Sequence, residues 1–227
     1  MKKILLTLCL VWPAIVIAQR HPPMTEPFNN AMSFQLEAGT QGVGGDVRYG
    51  LLPNLSGRLG ASFAPLNANS SMSISGFNTM SSESVNFANV HLLADFVPFE
   101  NAQGIRLVGG AAYLYHATGH LELSPTGNYT FGNYNLSGAD VGILDMNVVW
   151  NGIAPYAGIG LFKSFPSNFF NFNLDLGTYY LTAPSTHITG TNLLVDNNQL
   201  EPQFNQNLKS YRWLPVLQLN FNFRIKQ

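Results

Sequence analysis

From Leu217 to Lys226 the chain alternates without a break: Leu217, Leu219, Phe221, Phe223 and Ile225 fall on one side, Gln218, Asn220, Asn222, Arg224 and Lys226 on the other. Side chains of a strand point to opposite faces with period two, so this stretch predicts a ribbon with one apolar and one polar face. The signature recurs upstream. Phe34, Leu36 and Ala38 oppose Gln35, Glu37 and Gly39; Val47, Tyr49 and Leu51 oppose Asp46, Arg48 and Gly50; Leu55, Leu59, Ala61 and Phe63 oppose Ser56, Arg58, Gly60 and Ser62. Further on, Val90, Leu92, Ala94 and Phe96 face away from His91 and Asp95, and Ile105, Leu107, Ala111, Tyr113 and Tyr115 away from Arg106, Gly110, Ala112 and His116. Two more segments set Ile153, Ala157, Ile159 and Leu161 against Tyr156, Gly158 and Gly160, then Phe170, Phe172, Leu174 and Leu176 against Asn171, Asn173, Asp175 and Gly177.

The connections between these roughly eight strands alternate in length. Gly42 to Gly45 supplies residues tolerant of positive φ, as a tight hairpin needs. Short turns are expected after Leu52, Phe99 and Phe165, and long polar loops after Pro65, Leu123 and Ala183, over about 67–84, 124–147 and 184–209. Such alternation is the mark of a closed antiparallel up-and-down transmembrane β-barrel, all-β, with short periplasmic turns and long extracellular loops. Closure also removes open strand edges, whose backbone groups lipid cannot satisfy. Aromatics near the strand ends, namely Tyr49, Phe63, Phe99, Phe165, Phe169, Tyr180, Tyr211 and Trp213, are candidates for the two interfacial girdles. Pro155 and Pro215 each delete a ladder donor and are expected at a bulge or near the outer rim.

Composition sharpens the choice of environment. Charged residues are only 10% and aromatics 12%, against roughly 25% charged in ordinary soluble domains. A mean hydropathy of +0.06 is too low for a bundle of membrane helices, which needs several apolar runs of roughly 20 residues. The one such run is N-terminal: Lys2 and Lys3, a short apolar stretch, and Val16-Ile17-Ala18 predict a signal peptide over 1–18 with cleavage after Ala18. Cys9 leaves with it, and the bulky Leu8 before it argues against a lipid anchor. Losing Lys2 and Lys3 leaves 9 of the 11 basic residues against 12 acidic ones, a net charge of −3 with no basic stripe for nucleic acid. Residues 19–32, with Pro22, Pro23 and Pro27, read as a flexible lead-in, and 33–227 as the barrel.

The segments Ala154-Pro-Tyr-Ala-Gly-Ile-Gly160, Asn171-Phe-Asn-Leu-Asp-Leu-Gly177 and Leu214-Pro-Val-Leu-Gln-Leu-Asn-Phe-Asn-Phe223 resemble a broad family of small bacterial outer-membrane barrels, over roughly Ser33 to Ile225. In layout the chain is similar to the OmpA, OmpX and OmpW barrels. The resemblance implies integral residence in the outer membrane, contact with its lipid, and assembly by machinery that reads the last strand; it carries no catalytic residues to transfer. One departure is that Arg224-Ile-Lys-Gln227 follows Phe223, where such barrels often finish on an aromatic residue.

The inward rows gather Glu37, Asp46, Asp95 and Asp175 with Arg48, Arg58, Arg106 and Arg224. An eight-stranded barrel is only just wide enough for its own side chains, so these charges are expected to pair as a salt-bridged plug. The alternative is a narrow conduit for small solutes or ions, in which lumen glycines leave room, although a ring of both signs makes a poor selectivity filter. A lipid-modifying enzyme is a further alternative: His116, His120, Glu122 and Ser124 lie close in sequence, and the last three share strand parity. Metal binding by His116 and His120 together is disfavoured, because i, i+4 residues of a strand stand roughly 13 Å apart. No cofactor motif is present, and no extracellular ligand follows from the loops. A soluble lipocalin-like barrel would reverse the two faces, and no Gly-x-Trp motif opens the first strand. The expectation is thus a non-enzymatic outer-membrane barrel with a structural or surface role.

Overall fold

The computed structural model describes residues 28, 30–74, 77–99 and 104–226. The proposed signal peptide, Cys9 and nearly all of the lead-in lie outside them. Among the described residues eleven strands form in chain order: β1 (Met32–Gly39), β2 (Gly42–Leu52), β3 (Leu55–Ile74), β4 (Phe77–Phe96), β5 (Ile105–Pro125), β6 (Asn128–Phe131), β7 (Tyr134–Ser137), β8 (Leu144–Leu161), β9 (Phe170–Tyr180), β10 (Ser185–Gly190) and β11 (Trp213–Lys226). Eight close into an antiparallel ring, β1-β2-β3-β4-β5-β8-β9-β11 and back to β1. The closing pair sets Phe34 against Phe223 and Leu36 against Phe221.

The faces are those that lipid dictates. Leu59, Leu92, Leu107, Phe172 and Leu217 are 50% or more exposed, whereas Arg48, Arg58, Asp95 and Arg106 are at most 1% exposed. An apolar exterior around an ionic interior has no place in water. Closure therefore satisfies the backbone within the ring, and the row alternation assigns the solvent to each face.

Several strands run longer than their amphipathic signal. β3 and β4 have 20 residues each and pair from Leu55↔Phe96 to Ile74↔Phe77, so most of the expected loop over 67–84 is ladder. Twenty residues span about 66 Å, far more than an apolar band about 25 Å tall requires. Beyond the lipid neither face has to be apolar, so Asn and Ser occupy both, as in the Ser70–Ser81 hydroxyl contact of 2.7 Å, and the alternation disappears while pairing continues.

The other long loops are also ordered. The one expected over 124–147 holds the β6–β7 hairpin, the short helix α1 (Gly138–Val141) and the first residues of β8. Ser137 and Asp140 cap α1 reciprocally, and these hydrogen bonds hold the Asp140 carboxylate below its ordinary range. The one expected over 184–209 contains β10, a 3-10 turn (Asn192–Leu200) and helix α2 (Glu201–Leu208). β10 pairs with Leu144–Val149 of β8, while β9 takes Tyr156–Leu161 lower on the same strand. The outer edge of β10 is satisfied by side chains: its Thr186 and Ile188 N–H groups donate to Asn205 at 2.9 Å and Glu201 at 3.3 Å.

Three local expectations are corrected. The first turn lies at Thr40-Gln41, not within Gly42–Gly45; Gly42, at φ 89°, closes it opposite Gly39. His116 faces outward, because a bulge between Leu114 and Ala117 reverses the parity of β5 and turns Ala117 inward instead. Phe165 is 6% exposed and packs under the lumen rather than in a girdle. Pro155 falls just past the β8–β9 ladder while pairing with Ala111 of β5, and Pro215 just past the β1–β11 ladder while pairing with Thr178 of β9, so each sits where its strand has a ladder on one side alone.

If the outward rows meet lipid, Leu92→Arg should destabilise the barrel by about 2–4 kcal/mol at mid-membrane depth. Denaturant unfolding in lipid vesicles measures this; unchanged stability would take that row out of the hydrocarbon.

Candidate functional site

The lumen is filled from end to end in three layers. At the short-turn end, the chain before β1 folds under the opening: Asn30 N–H donates to Gly50 O and Gly50 N–H to Ala31 O, at 3.1 and 2.9 Å. Phe28 is thereby buried with Val97 and Phe165, its ring centroid 5.1 Å from that of Phe165. The β8–β9 turn closes the floor because arginines of the wall hold its carbonyls. Arg48 donates to Ser164 O at 2.6 Å, Arg106 to Phe162 O at 2.9 Å, and Arg224 to Pro166 O at 3.1 Å. Phe162 adopts φ 69°, a left-handed conformation uncommon for a bulky residue, and its carbonyl accepts from Arg106.

The ionic layer stands above this floor. Arg58 lies 2.8 Å from Asp175, 3.4 Å from Asp95 and 3.7 Å from Asp46. Arg106 contacts Asp95 at 3.0 Å and also pairs with Asp175, and Arg48 approaches Asp95 at 3.5 Å. Neutral groups take the remaining positions. Gln35 donates to Asp46 at 2.9 Å and accepts from Arg48 at 2.9 Å, while Asn220 donates to Asp175 at 2.9 Å. Asp46 meets His91 at 2.6 Å, and Glu37 accepts from Gln218. Inward parity thus brings together seven of the eight residues expected there. Arg224 is the exception: it sits half-buried at the rim against the Pro166 carbonyl, because parity fixes which face a residue takes but not its height.

The third layer is apolar. Leu93, Val108, Ala112, Leu114, Ala154, Tyr156, Tyr179, Leu181 and Val216 pack together across the lumen toward the long-loop end. Tyr156 and Tyr179 pack with tilted rings, 4.7 Å between centroids. These residues obey the same parity as the charged ones; Leu93 lies between His91 and Asp95, and Val108 two places from Arg106. Reading the inward rows for charge alone passes over them.

The lumen glycines leave no room. A Cβ on Gly60 would strike the Asp46 carboxylate, one on Gly160 the Arg106 guanidinium, and one on Gly158 or Gly177 the Tyr156 hydroxyl. Each glycine is the space that a long neighbour occupies.

No protein-family model and no curated protein matches the sequence. Among solved structures, Acinetobacter baumannii CarO2 superposes with a TM-score of 0.62 at 21% identity, over 86% of this chain and 98% of that one. Acinetobacter baumannii CarO gives 0.60 at 23%, over 88% and 98%. The chain has the fold of an outer-membrane β-barrel.

Of the proposed girdle, Tyr49, Phe63, Phe99, Phe169, Tyr180, Tyr211 and Trp213 stand on the outside, between 37% and 72% exposed. Tyr180 and Trp213 pack with tilted rings at 4.8 Å, with Arg212 over the Tyr180 ring at 4.3 Å, and Phe169 meets Phe223 at 5.9 Å near the other end. The residues of the catalytic alternative come together only in part: His120, Glu122 and Ser124 share the outer face of β5, with ligating atoms of His120 and Glu122 within 4.8 Å of each other. Ser124 reaches Glu122 at 3.3 Å, but the His120 ring turns to Asn147 at 3.0 Å and Asp145 at 3.5 Å, and His116 contacts Thr118.

Arg58→Ala removes the one cation shared by Asp46, Asp95 and Asp175 in a buried interior, and losing one member of such a buried network costs about 3–5 kcal/mol. The expected result is a lower midpoint in a thermal gel-shift assay, with partial recovery in the Arg58→Ala, Asp175→Ala double variant. Melting unchanged by Arg58→Ala would mean that the inward charges are not a structural network.

Proposed function

We propose that the protein is an integral component of the bacterial outer membrane with a structural or surface-interaction role, its lumen a plug and not a passage. The observation that carries this reading is the sequence of seals along the axis: a floor pinned by arginines, a dry ionic layer and an apolar collar. A solute entering from either end meets first a packed surface and then charges already engaged with one another. A conducting filter needs weak, exchangeable partners for its ions. Here Arg58 engages three aspartates at once, and at most 1% of its side chain is exposed. The filled spaces beside Gly60, Gly158, Gly160 and Gly177 also weigh against the narrow-channel alternative.

What the barrel offers is its crown. The β3–β4 and β5–β8 ladders rise well above the lipid band, and the two short helices and the β6–β7 hairpin cover the long-loop end. Ordered strands present a fixed surface at lower entropic cost than mobile loops. No residue is assigned a catalytic role.

Reconstituted into planar bilayers, the protein should give little or no single-channel conductance. Steady large openings would reject the plugged reading in favour of a channel.

A further inference from the structure

On the outer face of the wall, beyond the lipid band, one group of side chains belongs to none of the layers described above. After the bulge of β5, Ala117 points inward, so His116, Thr118, His120, Glu122 and Ser124 point outward. Across the β5–β8 ladder His120 pairs with Asn147 and Glu122 with Asp145, and on β10 the register partners of Asn147 and Asp145 are the exposed His187 and Thr189. Two carboxylates therefore stand directly opposite each other on neighbouring strands, an arrangement that repels unless a cation intervenes. Among the described residues, neither has an Arg or Lys ion-pair partner.

One ligating atom from each of His120, Glu122 and Asp145 lies within 4.8 Å of the other two. The Nε2 of His120 is 3.5 Å from Oδ2 of Asp145. Two ligands of a tetrahedral ion with bonds of about 2.0–2.1 Å stand about 3.3–3.4 Å apart. The atoms on the far side of each group are held separately. Asn147 Oδ1 faces His120 Nδ1 at 3.0 Å, an arrangement that suits the tautomer with its proton on Nδ1, in which Nε2 is the ligating atom. The same amide donates from Nδ2 to Asp145 Oδ1 at 2.7 Å, and Ser124 donates to Glu122 Oε1 at 3.3 Å. Such outer partners orient metal ligands.

We propose that His120, Glu122 and Asp145 form a surface site for a divalent transition-metal ion of the zinc class, with Asn147 as positioning residue. An imidazole nitrogen with two carboxylates suits Zn²⁺ and its neighbours. Calcium asks for six or more oxygens and magnesium for a near-octahedral oxygen shell. Three protein ligands leave a fourth position to water or to a group from outside. The cross-strand pairing accounts for what sequence spacing alone rules out: His120 finds its co-ligands in Glu122, two places along β5, and Asp145 on β8, not in His116.

The test is calorimetric titration of the folded barrel in detergent micelles with Zn²⁺ alone, repeated with excess Mg²⁺ and Ca²⁺. The expected result is saturable binding of one ion per chain, unaffected by Mg²⁺ or Ca²⁺, with His120→Ala and Asp145→Asn each weakening it by roughly tenfold or more. His116→Ala, on the same outer face, should leave it unchanged. Folding of every variant is checked by heat-dependent gel mobility, and Co²⁺ titration should add the intense visible bands of a low-coordinate ion to the wild type and not to His120→Ala. Absence of saturable binding, equal affinity in His120→Ala, or displacement of Zn²⁺ by Ca²⁺ would each overturn the proposal.

Discussion

The constraint on which everything else rests is that hydrocarbon cannot hydrogen-bond. A β-strand in lipid must find both neighbours within the chain, so the sheet closes, and closure at eight strands leaves a bore no wider than a few side chains. Having fixed the wall, the bilayer also fixes the inversion of its faces. Leucine and phenylalanine stand outside, while arginine and aspartate are confined within a space that excludes water. The ionic layer follows from this confinement: three arginines and three aspartates in so small a volume must satisfy one another.

Confinement also explains why the layers are interdependent. The arginines that pair with aspartates above spend their remaining N–H groups on carbonyls of the floor below, so Arg48 and Arg106 join two layers. The apolar collar completes the arrangement by keeping the upper side of the ionic layer dry, which strengthens every pair within it. Sealing is thus a property of the stack more than of any one contact.

How much of this was legible in the sequence depended on whether the two faces of a strand met different surroundings. Within the lipid band they did, and the rows containing Phe34, Leu92 or Leu217 gave the faces correctly. Above it, both faces of the β3–β4 ladder carry polar side chains, with Thr79 and Ser81 turned to a buried side; the periodic signal ends although the strands do not. The bulge between Leu114 and Ala117 left no mark in composition, yet it reverses every later face of β5, including that of His116. Depth along the axis was invisible too. Arg224 shares its parity with Asn220 and Asn222 but ends at the rim, and Phe165 looked like an interfacial aromatic until its turn was seen folded under the bore. Pairing between distant segments, such as β8 with β5, brought Asp145 beside His120, which no local spacing announces.

The most direct measurement of the central claim is nitroxide scanning along β4 from Ala88 to Phe96 in lipid vesicles, reading collision with oxygen, which partitions into hydrocarbon. The account requires period-two peaks at Val90, Leu92 and Ala94 with minima at His91, Leu93 and Asp95. The opposite phase, or no alternation, would contradict a barrel with lipid outside and its charges enclosed.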